Sequence, residues 1–282
     1  MSLEIGSINQ ASAERPCYET KQNPSQVLPK EMMLTIFSYL NSMGLKSCCL
    51  VSKEWKQLAS KETLWKAIIY REIAFGAAKW AEYIGDVGDE PPLPSNIHEI
   101  LKGPCPFTKD KTVGQTHLLT LIPKTVNGKT FNLNILEEYV KNPKKGTATK
   151  CSNYWEDIKQ EYGDIPVKES HWVALTIDVI EGSRKKTSDD QKQLLEDYSK
   201  KANASYEMPR LLETVTSLFM KFLQSGIRLY DDYTYTRCQE RVSRYSDRPL
   251  IVGGFVPGGL LVFTHDDGGF ENHGIGGMRK FS

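Results

Sequence analysis

Residues 28–40, LPKEMMLTIFSYL, put Met32, Met33, Ile36, Phe37 and Leu40 at i, i+1, i+4, i+5 and i+8, the spacing of one broad apolar stripe along a helix. Pro29 suits the first helical position. Ser42, Met43 and Gly44 interrupt the pattern, and a second periodic run, Leu45, Cys48, Cys49, Val51 and Trp55, leads into Leu58, Leu64, Trp65, Ile68 and Ile69. The expectation is three short helices ending near Glu72. A helical unit of about 45 residues buries too small a share of its surface to be comfortable alone. Its stripe therefore needs a cover, either the rest of the chain or another protein.

The segment resembles the F-box, the adaptor motif that docks on the Skp1 subunit of cullin-type ubiquitin ligases. The resemblance rests on Leu28–Pro29, on Glu31 followed by Met32 and Met33, on Ile36 to Leu40 (IFSYL), on Leu50 to Trp55 (LVSKEW), on Leu58 to Ser60 (LAS) and on Leu64 to Lys66 (LWK). Gly44 departs from it, standing where such motifs carry an acidic residue ahead of the second helix; glycine is the weaker cap. The resemblance implies an F-box over residues 27–74 and a Skp1-binding face built from Leu28, Pro29, Met32, Met33, Ile36, Phe37, Leu40, Val51 and Trp55. Residues 1–26, polar and poor in aromatics, read as a flexible tail.

Beyond Phe75 the patterning changes to that of a larger mixed domain, residues 75–282. A short helix is expected around Trp80, then a connection stiffened by Pro91, Pro92 and Pro94. Asp86, Asp89 and Glu90 in this connection lack the spacing of a calcium loop and read as solvated. VNGKT, residues 126–130, ends like a phosphate-binding loop, but Pro123 occupies the position of that motif's first glycine, so Asn127–Gly128 reads as the turn of a tight hairpin. A helix packing Ile135, Leu136, Tyr139 and Val140 follows, and HWVALTID, residues 171–178, reads as a buried strand. Ser188 and Gln191 have capping-box spacing. Leu211, Leu212, Val215, Leu218, Phe219, Phe222 and Leu223 form the inner stripe of a longer helix that Gly226 stops, with Met208 and Met220 as core filling. The remainder, punctuated by glycine pairs, predicts three or four antiparallel strands, including PLIVGGF, GGLLVFT and IGGMRKF. The fold class is α+β, a three-helix F-box followed by a mixed α+β domain with antiparallel strands.

Composition narrows the function classes. With 36 Lys plus Arg against 35 Asp plus Glu the net charge is +1, which offers no electrostatic footprint for nucleic acid. No apolar run is long enough to span a bilayer, and the opening residues lack the basic start and apolar core of a secretory signal. The six cysteines and five histidines show no metal-ligand spacing. The cysteines read as reduced thiols, and no metal, cofactor or catalytic residue is expected.

HWVALTID also resembles the strand that carries the general-base histidine of Ulp1-like cysteine proteases. That resemblance implies His171 as base, Asp189 or Asp190 as its orienting acid and Cys238 as nucleophile, although Cys238 lies in YTRCQ rather than in the Asp-Cys-Gly turn of that family. Residues 75–282 more loosely resemble a C-terminal region of F-box-like proteins from intracellular bacteria that live in amoebae. That implies an injected effector acting in the host cytoplasm, and the polar start is compatible with type III export. The leading expectation is an adaptor that joins the Skp1-cullin ligase core to an unknown protein target. The alternatives are a deubiquitinating protease targeted by its F-box and a non-catalytic Skp1 decoy.

Overall fold

The computed structural model describes residues 28–152, 155–243 and 247–281. The tail expected over residues 1–26 lies outside the described residues, as does Cys17. Internal contacts divide the chain into two compact units, Met1–Lys61 and Glu62–Ser282.

The first unit contains α1 (Lys30–Ser38), α2 (Ser42–Cys48) and α3 (Lys53–Ala59). Pro29 precedes α1, and its carbonyl accepts from Met33 N at 3.1 Å. Tyr39, Leu40 and Asn41 separate α1 from α2, and Asn41 caps the latter: its Oδ1 accepts from Gly44 N at 2.7 Å. Ser42, Met43 and Gly44, expected to interrupt the helices, instead form the first turn of α2, because the Asn41 side chain satisfies a backbone donor that would otherwise be orphaned. Ser52 does the same for α3, accepting from Trp55 N at 3.1 Å, and so divides the second periodic run. Both α1 and α2 pack against α3, with Met33, Phe37, Leu45, Cys48, Leu58 and Ala59 buried.

The second unit opens with α4 (Glu62–Ile68) and a π-type turn, Ile69–Ile73. Segment 62–74, assigned to the F-box from the sequence, thus falls in this unit. Its Trp65 ring lies 5.3 Å from that of His98, with the Lys102 ammonium 4.7 Å from the Trp65 centroid. There follow β1 (Ala74–Phe75), α5 (Ala77–Tyr83), α6 (Ile97–Lys102), α7 (Val113–Thr116), β2 (His117–Ile122), β3 (Thr125–Val126), β4 (Lys129–Thr130), α8 (Leu133–Lys141), β5 (Cys151–Ser152), α9 (Trp155–Tyr162) and β6 (His171–Thr176). The chain ends with α10 (Ser188–Ala202), α11 (Leu211–Ser225), β7 (Tyr235–Val242), β8 (Arg248–Val256), β9 (Gly259–Thr264), β10 (His273–Gly274) and β11 (Met278–Phe281).

Two sheets organise this unit. In the first, ordered β1-β2-β6-β11, β6 runs antiparallel to both neighbours and all six of its residues are buried, as its uninterrupted apolar run predicts. In the second, ordered β10-β7-β8-β9-β5, the central three strands form an antiparallel meander. The expected fourth C-terminal strand, MRKF, leaves that meander and pairs with β6 instead. At Gly253 a Cβ would stand 2.1 Å from Thr234 O, so the bulge between Gly253 and Val256 admits only glycine there. The separate β3–β4 hairpin turns at Asn127 (φ 50°) and Gly128 (φ 77°), as its sequence predicts.

Helix α11 lies between the sheets. Glu213 and Ser217 are directed to the first sheet, where Glu213 meets His171; Phe219 and Phe222 stack on Phe255 of β8 at 5.8 and 5.1 Å. Packed on two sides, it buries eleven of its fifteen residues, Thr214, Thr216 and Ser217 among them, and Gly226 (φ 69°) ends it. On the other face of the first sheet, Trp80 Nε1 donates to Leu121 O at 3.0 Å and Trp172 Nε1 to Pro91 O at 2.8 Å, which fastens α5 and the proline-rich connection to the sheet. The capping box expected from Ser188 and Gln191 is absent. Thr187 caps α10, accepting from Asp190 N at 3.2 Å, and Gln191 is buried, donating to Ser183 O and His273 O.

Candidate docking surface

The broad stripe of α1 divides along its length. Met33 and Phe37, four residues apart, are buried at 2% and 1% exposure, and Phe37 meets Trp55 of α3 edge-on with centroids 5.2 Å apart. Met32, Ile36 and Tyr39 occupy the adjoining face at i, i+4 and i+7 and are exposed, Tyr39 at 81%. Met43 in the first turn of α2, with Leu50 (87%) and Val51 between α2 and α3, adds three more exposed apolar side chains. Leaving six large apolar side chains of one small helical unit in water is costly, at about 25 cal/mol per Å2 of apolar surface.

Of the nine residues expected at a Skp1 interface, Pro29, Met32, Ile36 and Val51 are exposed, and Leu28, Leu40 and Trp55 are half-buried. Met33 and Phe37 of that set are buried in this chain, because α3 occupies the side of α1 to which they point. Tyr39, Met43 and Leu50, outside that expected set, are exposed as well. Tyr39 continues the Met32–Ile36 row by a further turn, a signal present in the sequence; Leu50 lies between helices, where periodicity is silent. Residues 28–61 carry five lysines and two glutamates, so the segment that bears the apolar face is net basic.

The residues of the protease resemblance do not assemble. His171 Nδ1 lies 2.9 Å from Glu169 O and its Nε2 3.3 Å from Glu213 Oε1, so both ring nitrogens are engaged elsewhere. Cys238 Sγ is buried 4.0 Å from Thr214 Oγ1, and burial together with Glu240 pushes its thiol well above the ordinary range. It is a neutral thiol, the wrong species for attack. Asp190 accepts from the Thr187 hydroxyl at 2.8 Å in the first turn of α10. The acid beside His171, Glu213, escaped sequence reasoning, because it lies outside the apolar stripe of its helix and only the packed sheet buries it. Among the acidic residues of the proline-rich connection, Glu90 is not solvated as expected: it accepts from Ala77 N at the start of α5, and burial raises its pKa.

Among the described residues no cluster of His, Cys, Asp or Glu is placed to hold a metal ion, and no helix is long and apolar enough to cross a membrane. Residues 25–71 match the F-box-like family. The chain is 56% identical over 39 residues to F-box/LRR-repeat protein 5 of Mus musculus, covering 14% of this chain and 6% of that protein. It is 38% identical over 56 residues to F-box/WD repeat-containing protein 8 of Rattus norvegicus, covering 20% of this chain and 9% of that protein. The matched segments thus span under a tenth of the length of these relatives. No solved structure matches the chain. An F-box-like domain therefore occupies residues 25–71, and it contains the exposed apolar face.

Proposed function

We propose that the chain is an F-box adaptor: its first unit docks on Skp1 of a cullin-type ligase and its second holds a protein target for ubiquitylation. The observation that carries this reading is the exposed row Met32, Ile36 and Tyr39, with Met43, Leu50 and Val51, lying inside the F-box-like segment. Such a face is the anchor cluster of a protein interface in search of its groove. The adaptor's contribution to catalysis is proximity, bringing the target to the ligase's own activated ubiquitin carrier. The net basic charge of that segment calls for an acidic rim on the partner and for affinity that falls with salt.

Calorimetry with purified Skp1 tests it. Ile36→Asp and Leu50→Asp change exposed positions, so both variants retain the thermal transition of the parent chain while losing about 2 kcal/mol or more of binding free energy. Unchanged affinity in both removes the docking face. Delivery into the cytoplasm of a host cell is a further part of the proposal. It rests on the resemblance of residues 75–282 to regions of F-box-like proteins from amoeba-associated bacteria, and a translocation reporter fused to the chain, read in the host cytosol, tests it.

A further inference from the structure

Between α11 and the first sheet, at the end of β2 away from His171, lies a cavity of about 610 Å3. One wall is polar. Ser217, Lys221 and Gln224 recur at i, i+4 and i+7 on one face of α11 and all line it. The opposite wall and mouth mix the apolar side chains of Ile73, Phe75, Leu118, Ile227 and Leu229 with the polar Gln115, His117 and Thr120.

Two unmet needs converge here. The Ser217 hydroxyl, on a side chain 1% exposed, has no hydrogen-bond partner, although a buried hydroxyl normally finds one. Among the described residues the Lys221 ammonium has no ion pair. Behind the lining, the Lys79 ammonium makes no hydrogen bond; burial and then the charge of Lys221 lower its pKa, with Glu82 and Glu72 opposing. A lining cation without an ion pair and an orphan hydroxyl beside apolar side chains form a site that can take an anion. Glu72, the carboxylate at the rim, sits 3.5 Å from Arg71.

We propose that this cavity captures the free C-terminus of a partner protein whose last side chain is apolar. The terminal carboxylate is held by Lys221 and the Ser217 hydroxyl, and the last side chain lies against Phe75 and Leu229. A carboxylate next to an apolar side chain is the chemistry that both walls ask for at once, and terminal-carboxylate capture is an established mode of peptide recognition. The inference rests on the adaptor reading for its biological sense, since it names the class of target, but the binding itself does not require Skp1.

The test uses the full chain and fluorescently labelled short peptides ending in Leu, Val, Phe or Met, each with a free and an amidated C-terminus, with octanoate as a small-molecule control. The expected result is saturable binding of a free-acid peptide, weakened about tenfold or more by amidation and equally by Lys221→Met, at a partly exposed position that leaves the fold intact. Ser217→Ala keeps the cavity and weakens binding without abolishing it. Equal binding of the amidated peptide, indifference to Lys221→Met, or no binding by any peptide of the set overturns the inference, as does binding of octanoate alone. Peptide capture by a chain that fails to bind Skp1 sinks the adaptor reading and leaves this one standing. Skp1 binding without peptide capture does the reverse.

Discussion

Phe37 and Trp55 meet edge-on with ring centroids 5.2 Å apart, joining α1 to α3 inside the first unit, while Ile36, one residue earlier, faces water. Adjacent residues thus face opposite environments. Phe37→Ala is expected to cost about 3–5 kcal/mol of folding free energy, the range for emptying a buried aromatic site, and to lower helical circular dichroism of a fragment spanning residues 1–61. Ile36→Ala is expected to leave that signal intact and to act on Skp1 affinity alone. If Phe37→Ala kept full helicity and lost only Skp1 affinity, the ring would belong to the interface after all.

The boundary of the second unit gives a deletion test. Leu64, Trp65, Ile68 and Ile69 are buried, and Ala74 pairs with Leu119 in the first sheet. A fragment covering residues 62–282 should melt cooperatively. One covering residues 75–282 discards those four side chains and half of β1, each large side chain being worth about 1.5–3 kcal/mol, and should melt lower by about 10 °C or more. Equal midpoints in calorimetric scans would mean that α4 contributes nothing to this core.

Thiol reactivity separates the adaptor from the protease. Cys238 and Cys151 are buried, and burial pushes both thiols well above the ordinary range. Maleimide labelling followed by peptide mass mapping should modify Cys49, which is partly exposed, before either of them in native protein, with all three modified after denaturation. A ubiquitin-derived reactive probe should leave Cys238 untouched. Probe attachment at Cys238 that disappears in His171→Ala would instead make the chain a protease.

Two histidines set the acid side of stability. Burial is the first cause that lowers both His117 and His273 from an ordinary 6.5 to about 4, with His265 and Arg237 adding to the effect on His273. The unfolded chain takes up a proton on each as pH falls through 6.5, whereas the folded chain keeps both neutral until about 4. Stability that is full above 6.5 is therefore lost on acidification between 6.5 and 4, by up to about 3 kcal/mol for each group. Glu240, raised by burial to about 6, works in the opposite sense between its ordinary 4.5 and 6, and is outweighed. Urea unfolding at pH 7 and pH 5 should show the loss, and His117→Gln should reduce it by half or more. A pH-independent midpoint would show that neither ring stays neutral in the folded state.

Much of this architecture is local and was open to sequence reasoning. The Asn127–Gly128 turn, the all-buried run of β6, the stop at Gly226 and the amphipathic start at Pro29 each depend on a few consecutive residues and their intrinsic backbone preferences. The likeness of residues 25–71 to F-box proteins is of the same kind, since it resides in the order and spacing of side chains.

Other features were decided only by what came to lie opposite. Periodicity records where a side chain points around its own helix or strand, and two neighbouring rows of α1 are equally apolar; the packing of α3 alone made Met33 and Phe37 interior and left Met32 and Ile36 outside. Likewise β11 has the pattern of one more meander strand, yet it pairs with β6, more than a hundred residues earlier. Glu213 acquires meaning from His171, 42 positions away, and Ser217 and Lys221 from a cavity bounded by strands far upstream. Those pairings are set by the burial of two sheets around α11, a long-range competition among apolar faces that no single segment of the sequence contains.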